Sequence, residues 1–156
     1  MPMSSRNHPQ GFTLLELMLA LGIIALIALV AVPNFRPVLK DAQLEQSVQL
    51  LQADLMEARQ MARGREDKKR VKVVFILPDQ YRIELENGEN SGIYEPVATK
   101  RLAANCSFDS LSEDNVVFNN NGSALIADDH LDISINNASA TIRVYRTTGR
   151  VEVTYP

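Results

Sequence analysis

From Phe12 to Val32 the sequence offers only two polar side chains, Thr13 and Glu16, and not one Lys, Arg or Asp. At 1.5 Å per residue a run of about 20 residues matches the ~30 Å hydrocarbon core of a bilayer, so it predicts one membrane-crossing helix. Those residues are then lost to any ordinary core, and the rest of the 156-residue chain has to build a single, fairly polar domain. The leader before the run carries Arg6 and no acid, which places the N-terminus in the cytoplasm and the bulk of the chain outside it. A cleaved secretory signal peptide fits less well. The run is longer than an h-region, no A-x-A-like site follows it, and a charge sits near its start.

That charge, Glu16, needs a reason. A carboxylate inside a membrane helix costs a few kcal/mol, about 3 on insertion scales, and is kept where it has a partner or a function. No basic residue lies between Phe12 and Val32 to pair with it on the same helix. The plain alternative is that Glu16, four residues from the start of the run, stays at headgroup depth where its cost is small.

Gly11-Phe12-Thr13-Leu14-Leu15-Glu16, followed by the apolar run and Pro33, resembles the N-terminal signature of type IV pilins and type II secretion pseudopilins. The resemblance implies a prepilin peptidase that cuts between Gly11 and Phe12 and methylates the new N-terminus. Glu16 then becomes the fifth mature residue and Pro33 the twenty-second. It further implies that Glu16 meets the Phe12 amine of a neighbouring subunit, so both charges are neutralised as the helix leaves the lipid for a filament core. Pro33 is expected to kink the helix where it emerges; as a plain alternative, Gly22 and Pro33 are common residues of membrane helices.

Beyond Pro33 the pattern becomes amphipathic from about 36 to 64. Leu44, Val48, Leu51, Leu55, Ala58 and Ala62 recur at spacings of three and four, which lays one apolar stripe along a helix that Gly64 stops. Lys40, Asp41, Glu45, Gln46, Asp54, Glu57, Arg59 and Arg63 are expected on the solvated side. Strands follow at 71–77 and 81–86, joined through Pro78-Asp79-Gln80, then at 115–118, 131–135, 140–146 and 150–155, the last three as an antiparallel meander. The weakly patterned region 91–114 holds "IYEPVATKRL", an edge strand with Pro96 tolerated there. A long helix followed only by strands is α+β, with an antiparallel sheet wrapped on the apolar stripe. The organisation expected is a leader at 1–11, a transmembrane or filament-core helix segment at 12–33, and a soluble domain at 34–156.

The layout, with "VVFNNNGSAL" (116–125) and a closing "TTGRVEV" (147–153), resembles the GspH/FimT-type minor pilins and pseudopilins. Cys106 is alone, so the C-terminal disulfide loop of many major pilins is absent, and a minor subunit is the expectation; the thiol itself reads as a small buried hydrophobe. The partners implied are other pilin or pseudopilin subunits, the prepilin peptidase, an inner-membrane assembly platform, and membrane lipid before assembly.

A filament-displayed DNA-binding or adhesive subunit is the alternative. Its candidate contacts are Arg63, Arg65, Lys68, Lys69 and Arg70 in "ARGREDKKRVK", and Arg150. The Gly-Arg-x-Arg pattern of DNA-binding relatives begins at Gly149-Arg150 but continues Val151-Glu152, without the second arginine. Beyond Val32 the chain holds 15 of the 16 Lys and Arg and 18 of the 19 Asp and Glu, a net charge of −3 where nucleic-acid domains are basic. "DDHLD" (128–132) is oxygen-rich, but its spacing fits no EF-hand, and it reads as a polar turn. With one cysteine and, after processing, one histidine, His130, thiolate or multi-imidazole zinc sites are excluded, and there is no phosphate-binding glycine loop. The expectation is a structural protein without cofactor, metal or catalytic residues.

Overall fold

The computed structural model describes residues 12–64, 66, 67, 69–136 and 139–155, and for the helical residues 30–37 it describes no side chains. The leader 1–11, Arg65, Lys68 and the Pro33 side chain, with its expected kink, lie outside the described residues. Helix α1 covers Leu14–Arg63. After it come β1 (Val71–Ile76), β2 (Gln80–Glu86), β3 (Tyr94–Arg101), β4 (Phe108–Leu111), β5 (Asn115–Phe118), β6 (Ala124–Leu125), β7 (His130–Ile135), β8 (Ala140–Tyr145) and β9 (Val151–Thr154). The fold class is α+β, an N-terminal helix followed by antiparallel β-structure. The chain forms two units, Met1–Leu39 and Lys40–Pro156.

In the first unit Leu and Ala, both strong helix formers, dominate α1. Among the described residues no helix is long and apolar enough to cross a membrane.

In the second unit the predicted stripe forms. Val48, Leu51, Leu55, Ala58 and Ala62 are fully buried, and Leu44 is partly buried against the same core. Asp54 corrects the reading of the polar side, because it is only 6% exposed. It lies three residues from Leu51 and four from Ala58, which puts it on the flank of the buried face. Tyr81 on β2 donates its hydroxyl to Asp54 at 2.5 Å, and the Lys100 ammonium on β3 lies 2.6 Å away. The buried carboxylate is thus satisfied from the sheet it meets.

Two sheets form where one was expected. The first has the order β3-β2-β1-β5-β6 and the second β4-β7-β8-β9. Period-two alternation sends Val71, Val73 and Phe75 of β1, Leu131, Ile133 and Ile135 of β7, and Ala140, Ile142 and Val144 of β8 into one core with the helix. Phe75 and Phe108 meet edge-on, with ring centroids 5.7 Å apart, and join β1 to β4 across the two sheets. The β1–β2 hairpin, the edge strand β3 with Pro96 and the β7-β8-β9 meander match the sequence expectation. β4 and β6 were not anticipated, being too short for an alternation to register.

Leu51 faces this core at 0% exposure. Leu51→Ala is expected to lower unfolding free energy by about 2–5 kcal/mol, read by chemical denaturation of the chain in detergent. A change under about 1 kcal/mol would show that the stripe is not the helix's anchor.

Candidate functional site

At the start of α1, Thr13 precedes the first helical residue and its Oγ1 accepts a hydrogen bond from the Glu16 amide at 3.2 Å. The Thr13 carbonyl accepts from the Leu17 amide at 3.1 Å. Thr13 is therefore the N-cap and Glu16 the third helical residue, the arrangement of the S/T-x-x-E start signal. The carboxylate stands in the first turn, where the positive end of the helix dipole favours it. The Thr13-x-x-Glu16 spacing marks this helix start in the sequence, beyond the roles that lipid and a neighbouring amine suggest for Glu16.

Around this end the apolar side chains are exposed on every side of the helix, from Phe12 at 83% to Leu29 at 76%. A helix that is apolar all round has no solvated face and calls for surroundings as apolar as itself. Among the described residues the Glu16 carboxylate has no hydrogen-bond or ion-pair partner. Gly11, on the other side of the expected cut, lies outside the described residues.

Of the proposed cationic contacts, Lys69, Arg70 and Arg150 face carboxylates. The Lys69 ammonium lies 3.2 Å from Asp67. Arg70 donates Nε to Glu86 at 2.9 Å and its backbone N–H at 3.1 Å, and a terminal nitrogen of its guanidinium also reaches the same carboxylate. Lys72 stands over the Tyr94 ring, 5.4 Å from its centre. Arg150 pairs with Glu152 at 3.2 Å. Arg63 is spread over Gly122, and Arg65 and Lys68 lie outside the described residues. Intramolecular carboxylates thus already hold much of the charge that a phosphate backbone would need.

Glu86 is the most completely held acid, 1% exposed, with the Gly92 amide donating to it at 2.9 Å besides the Arg70 groups. Arg70 beside it, together with the backbone amides, lowers its pKa to about 2. On the second sheet Arg143 grips Asp132 through two bonds, 2.7 and 2.8 Å, and holds that carboxyl below its usual range. His130 lies 3.6 Å from Asp132. "DDHLD" therefore opens a strand whose third acid is committed to an arginine, and among the described residues no group of His, Cys, Asp and Glu is arranged to hold a metal ion. Cys106 is buried, with the Asn136 amide 3.7 Å from its sulfur.

The stretches 116–125 and 147–153 meet under the last turns of α1. Gly149 has φ +61° and Gly122 has φ +84°. A Cβ on Gly149 would stand 2.1 Å from the Gly122 carbonyl oxygen, and Arg59 donates Nε to that same oxygen at 3.1 Å. These glycines form a packing joint between helix and loops, and their local sequence shows only that each ends a turn.

Neither the curated proteins nor the solved structures returned a significant match. Residues 6–32 match the family model described as the prokaryotic N-terminal methylation motif, so the chain carries the N-terminal signal of a type IV pilin-like precursor.

Proposed function

We propose that this chain is a minor pilin or pseudopilin, a subunit of a type IV pilus or a type II secretion pseudopilus. The observation that carries the reading is the methylation motif at 6–32, set on a helix whose apolar side chains are exposed all round its axis. In this reading the precursor is a single-pass inner-membrane protein with its β-rich domain outside the cytoplasm. Prepilin peptidase cleaves between Gly11 and Phe12 and methylates the new amine. Lipid covers the helix before assembly and neighbouring helices cover it afterwards. Glu16, in the first turn of α1, meets the charged Phe12 amine of the next subunit, and an assembly platform in the inner membrane adds the subunits. The chain acts as a structural element, and no residue in the proposal performs catalysis.

The first experiment is an intact mass of the mature protein from cells with and without prepilin peptidase. A mass beginning at Phe12 with one added methyl group is expected only where the peptidase is present; a full-length mass in both rejects the reading. Glu16→Ala is then expected to leave the β domain folded while incorporation into filaments falls at least about tenfold, the equivalent of ~1.4 kcal/mol of lost contact. Unchanged incorporation of that variant would remove Glu16 from the assembly contact.

A further inference from the structure

The two sheets leave four edge strands, β3, β6, β4 and β9, and three of them are unsuited to pairing with another strand. β3 carries Pro96, a register shift beside Val97, and the cations Lys100 and Arg101. β6 has two residues. β4 has a register shift between Phe108 and Ser110. Bulges, prolines, charge and brevity are the means by which sheet edges resist addition. β9 carries one charge, Glu152, but no bulge and no proline: its pairing with β8 runs unbroken from Val151↔Val144 to Thr154↔Thr141.

The hydrogen-bond phase of β9 sets what its open side presents. The Tyr145 amide donates to the Arg150 carbonyl at 2.9 Å. Bonded pairs alternate along an antiparallel ladder, so Arg143/Glu152 and Thr141/Thr154 are bonded pairs as well. The backbone N–H and C=O groups of Val151 and Val153 then point away from β8. Tyr155 continues the strand's odd-numbered face and is 51% exposed.

We propose that β9 is an interface strand that pairs antiparallel with β9 of a second copy of this chain, about a two-fold axis at Val153. In that register Val153 meets Val153, Val151 meets Tyr155, and Glu152 meets Thr154. Apolar side chains then face apolar ones on one side, and the Glu152 carboxylate faces a hydroxyl on the other. The register shifted by two residues sets Glu152 against Glu152, a like-charge pair that disfavours it. Self-pairing through one strand is isologous, so it closes as a dimer and leaves the other edges untouched. The pairing does not depend on peptidase processing.

The test uses the full chain in detergent. Glu152 and Thr154 of opposite copies form a non-bonded pair with Cα atoms about 4.5 Å apart, within disulfide range. A Glu152→Cys/Thr154→Cys double variant is expected to give a disulfide dimer under mild oxidation, and either single variant is not. The unsubstituted chain, whose Cys106 is buried, serves as the baseline. Val153→Pro removes an N–H that points away from β8, so it spares the β8–β9 ladder while weakening self-association at least about tenfold by sedimentation. A double variant that stays monomeric, a dimer formed by Glu152→Cys alone, or a Val153→Pro chain that associates like the unsubstituted one would each overturn the proposal. So would an association that requires a different protein.

Discussion

Gly149→Ala is expected to destabilise the β-rich unit by about 3–5 kcal/mol, combining a left-handed backbone forced on alanine with a steric overlap. The overlap is with backbone, since the added Cβ falls 2.1 Å from the Gly122 carbonyl oxygen, with Arg59 Nε, bonded to that oxygen, 3.1 Å from the Cβ. No rotamer change relieves it. The loop ending in Gly149 would have to lift away from Gly122, which also breaks the Arg59 bond to that carbonyl. Gly92 is the matched control, because its φ is also positive, +71°, but nothing lies within 4 Å of where its Cβ would be. Gly92→Ala should cost only about 1 kcal/mol, the conformational part alone. Chemical denaturation of both variants checks this, and equal losses would place the cost in backbone conformation rather than in the joint. Many proteins have only about 5–15 kcal/mol to lose, so the Gly149 variant should accumulate poorly in cells.

Glu86→Ala is the second large effect, expected at about 3–5 kcal/mol, because it strands the charge of a largely buried partner. Arg70 retains only 20% exposure of its side chain and would lose every bond to that carboxylate, while the Gly92 amide would lose its acceptor. The β2–β3 turn, which Glu86 ties to the strand through Gly92, should loosen first. The pH dependence follows from the same contacts. The Glu86 pKa is lowered from 4.5 to about 2, first by the Arg70 hydrogen bonds. A carboxyl depressed in the folded state contributes its full stability above about pH 4.5 and loses it as the pH falls through about 2. The contribution is ~2 kcal/mol, below the full linkage value because Arg70 is partly screened by solvent. Unfolding titrations of Glu86→Ala and the unsubstituted chain should therefore converge between pH 4.5 and about 2. Parallel curves through that window would show that Glu86 is not the group responsible.

The N-terminal signal is legible in the amino-acid sequence because it lies in one local segment. The run from Phe12 to Val32, Glu16 within it and the glycine before it are contiguous, and the comparison matching residues 6–32 rests on the same segment. The stripe from Val48 to Ala62 and the strands of the hairpin and meander are also readable, because helical and strand periodicities are properties of neighbouring residues. Asp54 was misplaced for a related reason. Periodicity gives its angle on the helix, but only the position of Tyr81 and Lys100 on another element shows that a carboxylate at that flank is buried and satisfied.

What the sequence determined by itself is this signal-bearing apolar helix, the amphipathic stripe after it, and the α+β order of elements, all set by spacing within one segment. The tertiary structure alone decided that the strands divide into two sheets, that Glu86 is buried under Arg70, that Gly122 and Gly149 lock beneath Arg59 and Arg63, and that β9 is left as the uninterrupted edge. Each of these depends on contacts between residues far apart in the chain, and their energies exist only once loop closure has brought the partners together.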